Sequence, residues 1–304
     1  MFPSPVVSVL CTVYNAEQFL EQTIDSVLSQ TFEQWEMIIV DDASTDQSKF
    51  IAQNYDDARI TIIELPSNVG RTMALNSGLK FCQGEYVAIL DADDVAQPER
   101  LARQVGFLNM NADYGATASW CTIIDETGKE IGQYQPVLSS SEIYQYLGWC
   151  DPLVHSSLTW RHNLLDHLGG YSGPPGLEDH DLLVQVAQIA QIGILTENLI
   201  SYRHVGSSLS HSEDGLIARM RGQLIVLKAA RELPGLQKGS KRRNRRAISL
   251  ILIRLGVAQI KKGRILASLL PLMRGILLDP TVSFYPFRTK RWETRWHPQR
   301  RFSV

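Results

Sequence analysis

Three acids stand within four residues at Asp91-Ala92-Asp93-Asp94, directly after an apolar run at 85–90. Like charges so close repel unless a cation neutralises them, which favours a bound metal or ligand over helix N-capping, the plainer use of such residues. A hard divalent ion held by one or two carboxylates completes its shell with water and substrate phosphates. There it would neutralise charge on a departing phosphate, as a nucleoside-diphosphate leaving group requires. Two more polar clusters, Thr12-Val13-Tyr14-Asn15 and Asp41-Asp42, follow the apolar runs at 6–11 and 36–40. Capping alone would account for Asn15, Ser44 or Asp46 taken singly. Further along, Leu177-Glu178-Asp179-His180-Asp181-Leu182 sets three acids at a helix start. Carboxylates favour the macrodipole there, and one near a hydroxyl could also take its proton.

Other chemistries lack their residues. Asp42, Ser44 and Asp46 have the 1, 3, 5 spacing of a calcium loop, but Gln47 and Gln53 stand where glycine and glutamate are needed. No GxGxxG follows the first apolar run and no GxxxxGK[ST] occurs, so dinucleotide and P-loop phosphate sites are unsupported.

The elements that must position these clusters alternate. Buried strands are expected at 6–11, 36–40, 60–64 and 85–90, and helices at 15–30, 44–54 and 71–82. Short connections between them predict a parallel α/β sheet with helices on both faces. In open sheets of that kind ligands bind beyond the carboxyl ends of the strands, where the three clusters fall. After Pro98 the pattern loosens: a helix at 99–109, strand-like pieces at 116–124 and 132–137, and a helix at 177–192. A helix at 216–231, a basic run at 238–246 and two apolar segments at 247–260 and 265–278 complete the chain.

With 44% hydrophobic and 20% charged residues the chain can bury a large core. Its net charge of −2 hides a split: 238–304 holds seventeen Lys and Arg against Asp279 and Glu293, or +15, leaving −17 for the rest. Opposed halves suggest an acidic body with a basic attachment region. Cys11, Cys82, Cys121 and Cys150 form no CxxC pair, so reduced thiols in a cytosolic protein are expected, not a disulfide scaffold. The opening MFPSPVVSVL has no basic n-region, and no run of about 18 apolar residues occurs, so neither secretion nor a membrane span is expected.

At this point the residues carry a resemblance. The run VSVLCTVYNAEQFLEQTIDSVLSQTFEQWEMIIVDDASTD resembles the opening of the family 2 glycosyltransferases, whose fold is of the GT-A type. NVGRTMALNSGL, GEYVAILDADD and GLEDHDL follow in that family's order, and the match spans about 5–210. The resemblance implies that Thr12, Tyr14, Asn15 and Glu17 line the base and ribose, with Asp41 or Asp42 accepting from a uracil-type imide and Arg71 approaching base or phosphates. The family's DXD falls on Asp91 and Asp93, Asp91 toward the ribose and Asp93 as a ligand of Mn2+ or Mg2+. Arg203 and His204 would reach the diphosphate or metal from a late loop. Thr12-Val13 stands where the family often has proline-threonine, a departure at the Thr12 contact. The acceptor-side ED motif falls on Glu178 and Asp179. In an inverting displacement Asp179 would be the base, with Glu178 orienting the acceptor and Asp181 the alternative base. Trp149, Asp151, His155 and Trp160 lie where an acceptor surface is expected, though buried tryptophans fit as well.

The expected protein is thus an α/β chain with a mainly parallel central sheet: a GT-A catalytic domain at 1–212, split into nucleotide-sugar (1–98) and acceptor (99–212) halves. A basic helical region follows at 213–304. It would move a sugar from a nucleotide-diphosphate donor, UDP-linked by preference, to a saccharide or lipid-linked acceptor in polysaccharide or glycoconjugate synthesis. Nucleic acid is not expected as a partner, because the apolar tail segments at 247–278 demand burial. An anionic membrane surface or a homo-oligomer contact fits 238–304, placing the enzyme in the cytoplasm or at the inner face of a membrane. The rivals are a nucleotidyltransferase, whose glycine-rich basic loop is missing, and a non-catalytic nucleotide-sugar-binding scaffold.

Overall fold

The computed structural model describes residues 4–205 and 213–280. The end of the family resemblance at 206–210, the expected boundary at 212 and the basic stretch at 281–304 lie outside the described residues.

The first half builds β1 (Val7–Val13), α1 (Leu20–Leu28), β2 (Trp35–Asp41), α2 (Ser48–Gln53), β3 (Ile60–Glu64), α3 (Arg71–Leu79) and β4 (Tyr86–Ile89). The second half adds β5 (Val95–Ala96), α4 (Arg100–Met110), β6 (Tyr114–Ile124), β7 (Glu130–Tyr134), α5 (Ser140–Leu147), β8 (Thr159–Arg161), α6 (His162–Leu168), α7 (Glu178–Val186) and β9 (Gln191–Arg203). Three helices follow among the described residues: α8 (Glu213–Arg231), α9 (Lys238–Lys261) and α10 (Ile265–Leu278).

One sheet runs β3-β2-β1-β4-β8-β6-β9-β5, with β7 added on β6. The pairs β3/β2, β2/β1, β1/β4 and β6/β9 are parallel, and the shorter pairings through β8, β5 and β7 are antiparallel. Both faces of the sheet are buried, which is why residues 9–11 of β1 and 37–40 of β2 are apolar without alternating. Ile38 and Val40 pack on one side with Ala74, Leu75, Leu182 and Val226. Met37 and Ile39 pack on the other with Leu20, Ile24, Val27 and Leu101. The chain steps from β1 outward to β2 and β3, then returns to β4 on the other flank. That reversal opens a crevice at the carboxyl ends of β1 and β4.

Several boundaries differ from the sequence reading. The helix expected at 15–30 begins at Leu20, because 15–19 is drawn into a loop bonded to 44–48. The helix expected over 177–192 stops at Val186 and the chain enters the 13-residue β9. The basic run and the apolar segment after it form one helix, α9, whose charges are exposed at one end and whose Ile248, Ile251 and Leu255 pack on Ile217, Met220 and Leu224 of α8. Trp160 is fully buried in β8 and lines no acceptor surface; its ring fills the core. Cys11, Cys82 and Cys121 are buried free thiols, and Cys150 is partly buried.

Candidate active site

The loop after β4 is held from behind. Leu90 N donates to Leu10 O at 3.0 Å, and Asp94 N to Asp91 O at 3.1 Å, closing a turn. Thr23 Oγ1 lies 2.9 Å from the carbonyls of both Ala92 and Asp94. Arg203, at the end of β9, donates its amide to Asp94 Oδ1 (2.8 Å) and its Nε to the Asp93 carbonyl (2.8 Å). Its remaining nitrogens reach Asp125 O at 3.0 Å and Gln22 Oε1 at 2.6 Å, and its guanidinium lies 4.5 Å from the Phe19 ring centroid. Arg203 is therefore spent on the protein and does not present itself to a diphosphate, contrary to the sequence expectation. His204 beside it donates its amide to Ile124 O at 2.8 Å, and its side chain is exposed.

The three acids of the loop have different surroundings. Asp94 is fully buried; burial and then the charges of Asp93 and Asp91 push its carboxyl well above the usual range. Burial would also raise Asp91, but the Arg71 guanidinium holds it well below that range. Asp93 is pushed up to about 6 by burial and by Asp91. Among the described residues no other residue donates a hydrogen bond to its carboxylate.

Arg71 is the node of the site. Gly70 before it has φ 85°, a left-handed conformation that glycine adopts without strain. Asp42 fixes the approach: its Oδ1 accepts from Val69 N at 2.7 Å and its Oδ2 from Gly70 N at 2.9 Å. From there Arg71 pairs with Asp91, reaches His155 Nδ1 at 2.6 Å, and sets its Nε 3.5 Å from Glu178 Oε1. A guanidinium only donates, so His155 Nδ1 must accept, and the neutral ring carries its proton on Nε2. That nitrogen lies 3.0 Å from the Tyr171 hydroxyl, leaving the phenolic proton for another acceptor. Asn76 holds the Tyr171 backbone with bonds of 2.8 and 2.7 Å. Glu178 is 1% exposed, and its Oε2 has no hydrogen-bond partner among the described residues.

Asp179 is partly exposed, and its Oδ1 accepts from His180 N at 2.7 Å. Its charge acts on Arg71 and Tyr171. With burial as the larger cause, it also drives Asp151 well above the usual carboxylate range. Asp181 is turned elsewhere: its Oδ2 accepts from Ser172 Oγ (3.1 Å) and Gln185 Nε2 (2.8 Å), and it lines a groove with Ile225 and Ala229 of α8. The fold thus brings together Arg71, Asp91, Glu178 and Asp179, and it sets Asp181 apart.

The expected base and ribose residues divide. Asn15 Oδ1 accepts from Thr45 N at 2.8 Å and Glu17 Oε2 from Gln47 N at 2.8 Å, so both side chains stitch the β1–α1 loop to the β2–α2 loop. Asn15 has φ 54°, a strain which these bonds offset. Asp41 is buried and accepts weakly from Ser44 N at 3.3 Å. Thr12 lies at the end of β1, half-buried, and Tyr14 is 40% exposed above it. Sequence reasoning missed the buried brace behind β4, where Arg100 donates to Ile89 O at 2.7 Å and to Gln104 Oε1 at 3.0 Å. It placed His155 on an acceptor surface but did not anticipate its contacts with Arg71 and Tyr171, which no local pattern marks.

Among the described residues no three His, Cys, Asp or Glu side chains converge as a ready metal cage. The donors fit a hard ion that draws most of its shell from water and substrate: Asp93 offers a carboxylate that no other described residue engages.

A mainly parallel sheet flanked by helices, with paired acids at its carboxyl edge, defines a GT-A type fold. The chain belongs to glycosyl transferase family 2, which residues 8–168 match, and it is a glycosyltransferase. The amylovoran biosynthesis glycosyltransferase AmsE of Erwinia amylovora is 28% identical over 239 residues, 77% of this chain and 89% of that protein. S. aureus TarS in complex with UDP-GlcNAc shares the fold at a TM-score of 0.61 and 18% identity, over 91% of this chain and 90% of that one. The mannosyltransferase PcManGT from Pyrobaculum calidifontis, in complex with GDP-Man and Mn2+, does so at 0.58 and 22%, over 97% and 85%.

Proposed function

We propose that this glycosyltransferase inverts the anomeric carbon of a UDP-linked sugar and delivers it to a saccharide or lipid-linked acceptor in cell-surface polysaccharide or glycoconjugate synthesis. The observation that carries this reading is Arg71, which joins the acid of the β4 loop to the acids at the start of α7. The similarity to AmsE supports a polysaccharide pathway, and the UDP-GlcNAc bound by TarS supports the donor class.

In this reading Thr12, Tyr14 and Asp41 line the base and ribose, while Arg71 neutralises the diphosphate. Mn2+ or Mg2+, held by Asp93 with Asp91 and His204 beside it, would supply charge neutralisation on the leaving diphosphate. Asp179 accepts the proton of the acceptor hydroxyl. The acceptor hydroxyl oxygen forms the new bond to the anomeric carbon as the bond to the diphosphate oxygen breaks, and the bonding pair leaves with the diphosphate. Glu178 is buried against Arg71, so its part is to hold that guanidinium as well as to orient the acceptor. The basic region 238–304 would attach the enzyme to an anionic membrane surface or to a second copy, at the cytoplasmic side.

A thermal-shift screen of nucleotide sugars with and without Mn2+ tests the donor assignment. Metal-dependent stabilisation by UDP-sugars is the expected result; stabilisation by another nucleotide class alone would replace UDP. A scaffold without activity would bind the same ligands and show no turnover with any acceptor.

A further inference from the structure

The two faces of α10 are the reverse of those on an ordinary surface helix. Its inward side is small: Ser268 and Gly275 are buried, and Ser249 Oγ of α9 donates to the Gly275 carbonyl at 2.6 Å. A Cβ on Gly275 would stand 2.8 Å from Ile253 Cγ1 and 2.9 Å from the Ser249 carbonyl, so α9 and α10 meet closely. Large side chains point away from the protein: Leu266 is 86% exposed, Leu277 77%, Ile265 64%, Met273 61% and Leu270 56%. A contiguous apolar face of this size on a helix demands a cover.

Charge identifies the cover. Lys261, Arg264 and Arg274 are exposed around this face, and the sequence from Leu233 to Leu278 contains no Asp or Glu. A second copy meeting this face across a two-fold axis would bring the cations of both copies together, with Asp279 the single acid of 233–279 on each side to offset them. An anionic lipid surface satisfies both features. The helix has 14 residues, roughly 21 Å, against an acyl core of about 30 Å. No described helix is long and apolar enough to cross a membrane. We propose that α10 lies in the plane of an anionic membrane, with Leu266, Leu270, Met273 and Leu277 in the acyl boundary and Lys261, Arg264 and Arg274 at the phosphates. This deepens the membrane part of the proposed function and stands apart from the transfer chemistry.

Co-sedimentation of the full chain with phosphatidylglycerol–phosphatidylcholine vesicles tests it, with pure phosphatidylcholine as the comparison. The expected result is binding to the anionic vesicles that drops at least tenfold in a Leu266→Glu/Leu270→Glu variant, with unchanged circular dichroism. A Lys261→Glu/Arg264→Glu/Arg274→Glu variant should lose the preference for anionic lipid. Equal binding of wild type and the leucine variant would overturn the proposal. So would a dimer that the leucine variant converts to monomer, because the face would then be covered by a second copy. Nucleotide-sugar binding, measured on the same samples, reports separately on the catalytic reading.

Discussion

Arg71 lies between Asp91 and Glu178, so one guanidinium spans the acid of the β4 loop and the nearly inaccessible acid at the start of α7. Replacement by methionine would leave Glu178 buried without its cation. Arg71→Met should cost about 1–3 kcal/mol of stability and lower kcat/KM by about 10²–10³-fold. Denaturant melts and steady-state kinetics check the two effects. Arg71→Lys keeps the charge but not the fork, so it should recover stability more fully than rate.

Asp93 links activity to pH and to stability. Burial and the charge of Asp91 push its carboxyl up to about 6 in the folded chain, above the ordinary carboxylate value of about 3.9. Between those values the folded state binds more protons than the unfolded one, so this residue lowers stability as pH rises through the window. Above about pH 6 the whole cost is present. Asp93→Asn should therefore raise the stability of the ligand-free protein at pH 8 by about 1–2 kcal/mol, discounted for partial exposure, and leave it unchanged below pH 4. The same variant should lose metal-dependent UDP binding. Melting curves across pH, with and without Mn2+, test both; equal metal-dependent UDP affinity in the variant and the wild type would refute the metal assignment.

The two candidate bases separate by environment. Asp179→Asn should leave UDP affinity within about twofold and reduce kcat by about 10²–10⁴-fold. Asp181→Asn loses only part of its bonds to Ser172 and Gln185, and its effect on kcat should be less than about tenfold. The reverse order would move the proton acceptor to Asp181.

Asp42 has a structural task that can be measured without any ligand. Both carboxylate oxygens accept backbone amides, from Val69 and Gly70. Asp42→Asn replaces one acceptor by a donor that faces another donor, and should destabilise the chain by about 1–3 kcal/mol. Hydrogen exchange at Val69 and Gly70 should accelerate more than exchange in β1. Uniform protection would show that the loop is held by other groups.

The first half was legible in the sequence because burial on both sheet faces leaves apolar runs such as 9–11, 37–40 and 86–89, each followed by polar residues. The second half was harder to read. In β8 only Thr159, Trp160 and Arg161 pair, too few for a period, and the apolar positions of α7 run on into β9 without a breaker. The acids of the site stood out by type and spacing. Their relations did not, since Arg71, Asp91, His155, Tyr171 and Glu178 meet only through the order of strands in the sheet. Arg203 shows the limit from the other side: a late arginine after a strand fits a phosphate ligand, yet its partners are carbonyls and Gln22.

The bonds that tie Asn15 to Thr45, Glu17 to Gln47 and Arg203 to the β4 loop bear on selectivity. In the proposed reading these loops line the donor, and because folding has already tied them together, a nucleotide would owe little further entropy on arrival. Discrimination among donors then falls to direct contacts with base and sugar. On that reading, enzymes redesigned from this chain should change donor by substitution at Thr12 and Tyr14 more readily than by changes in loop length.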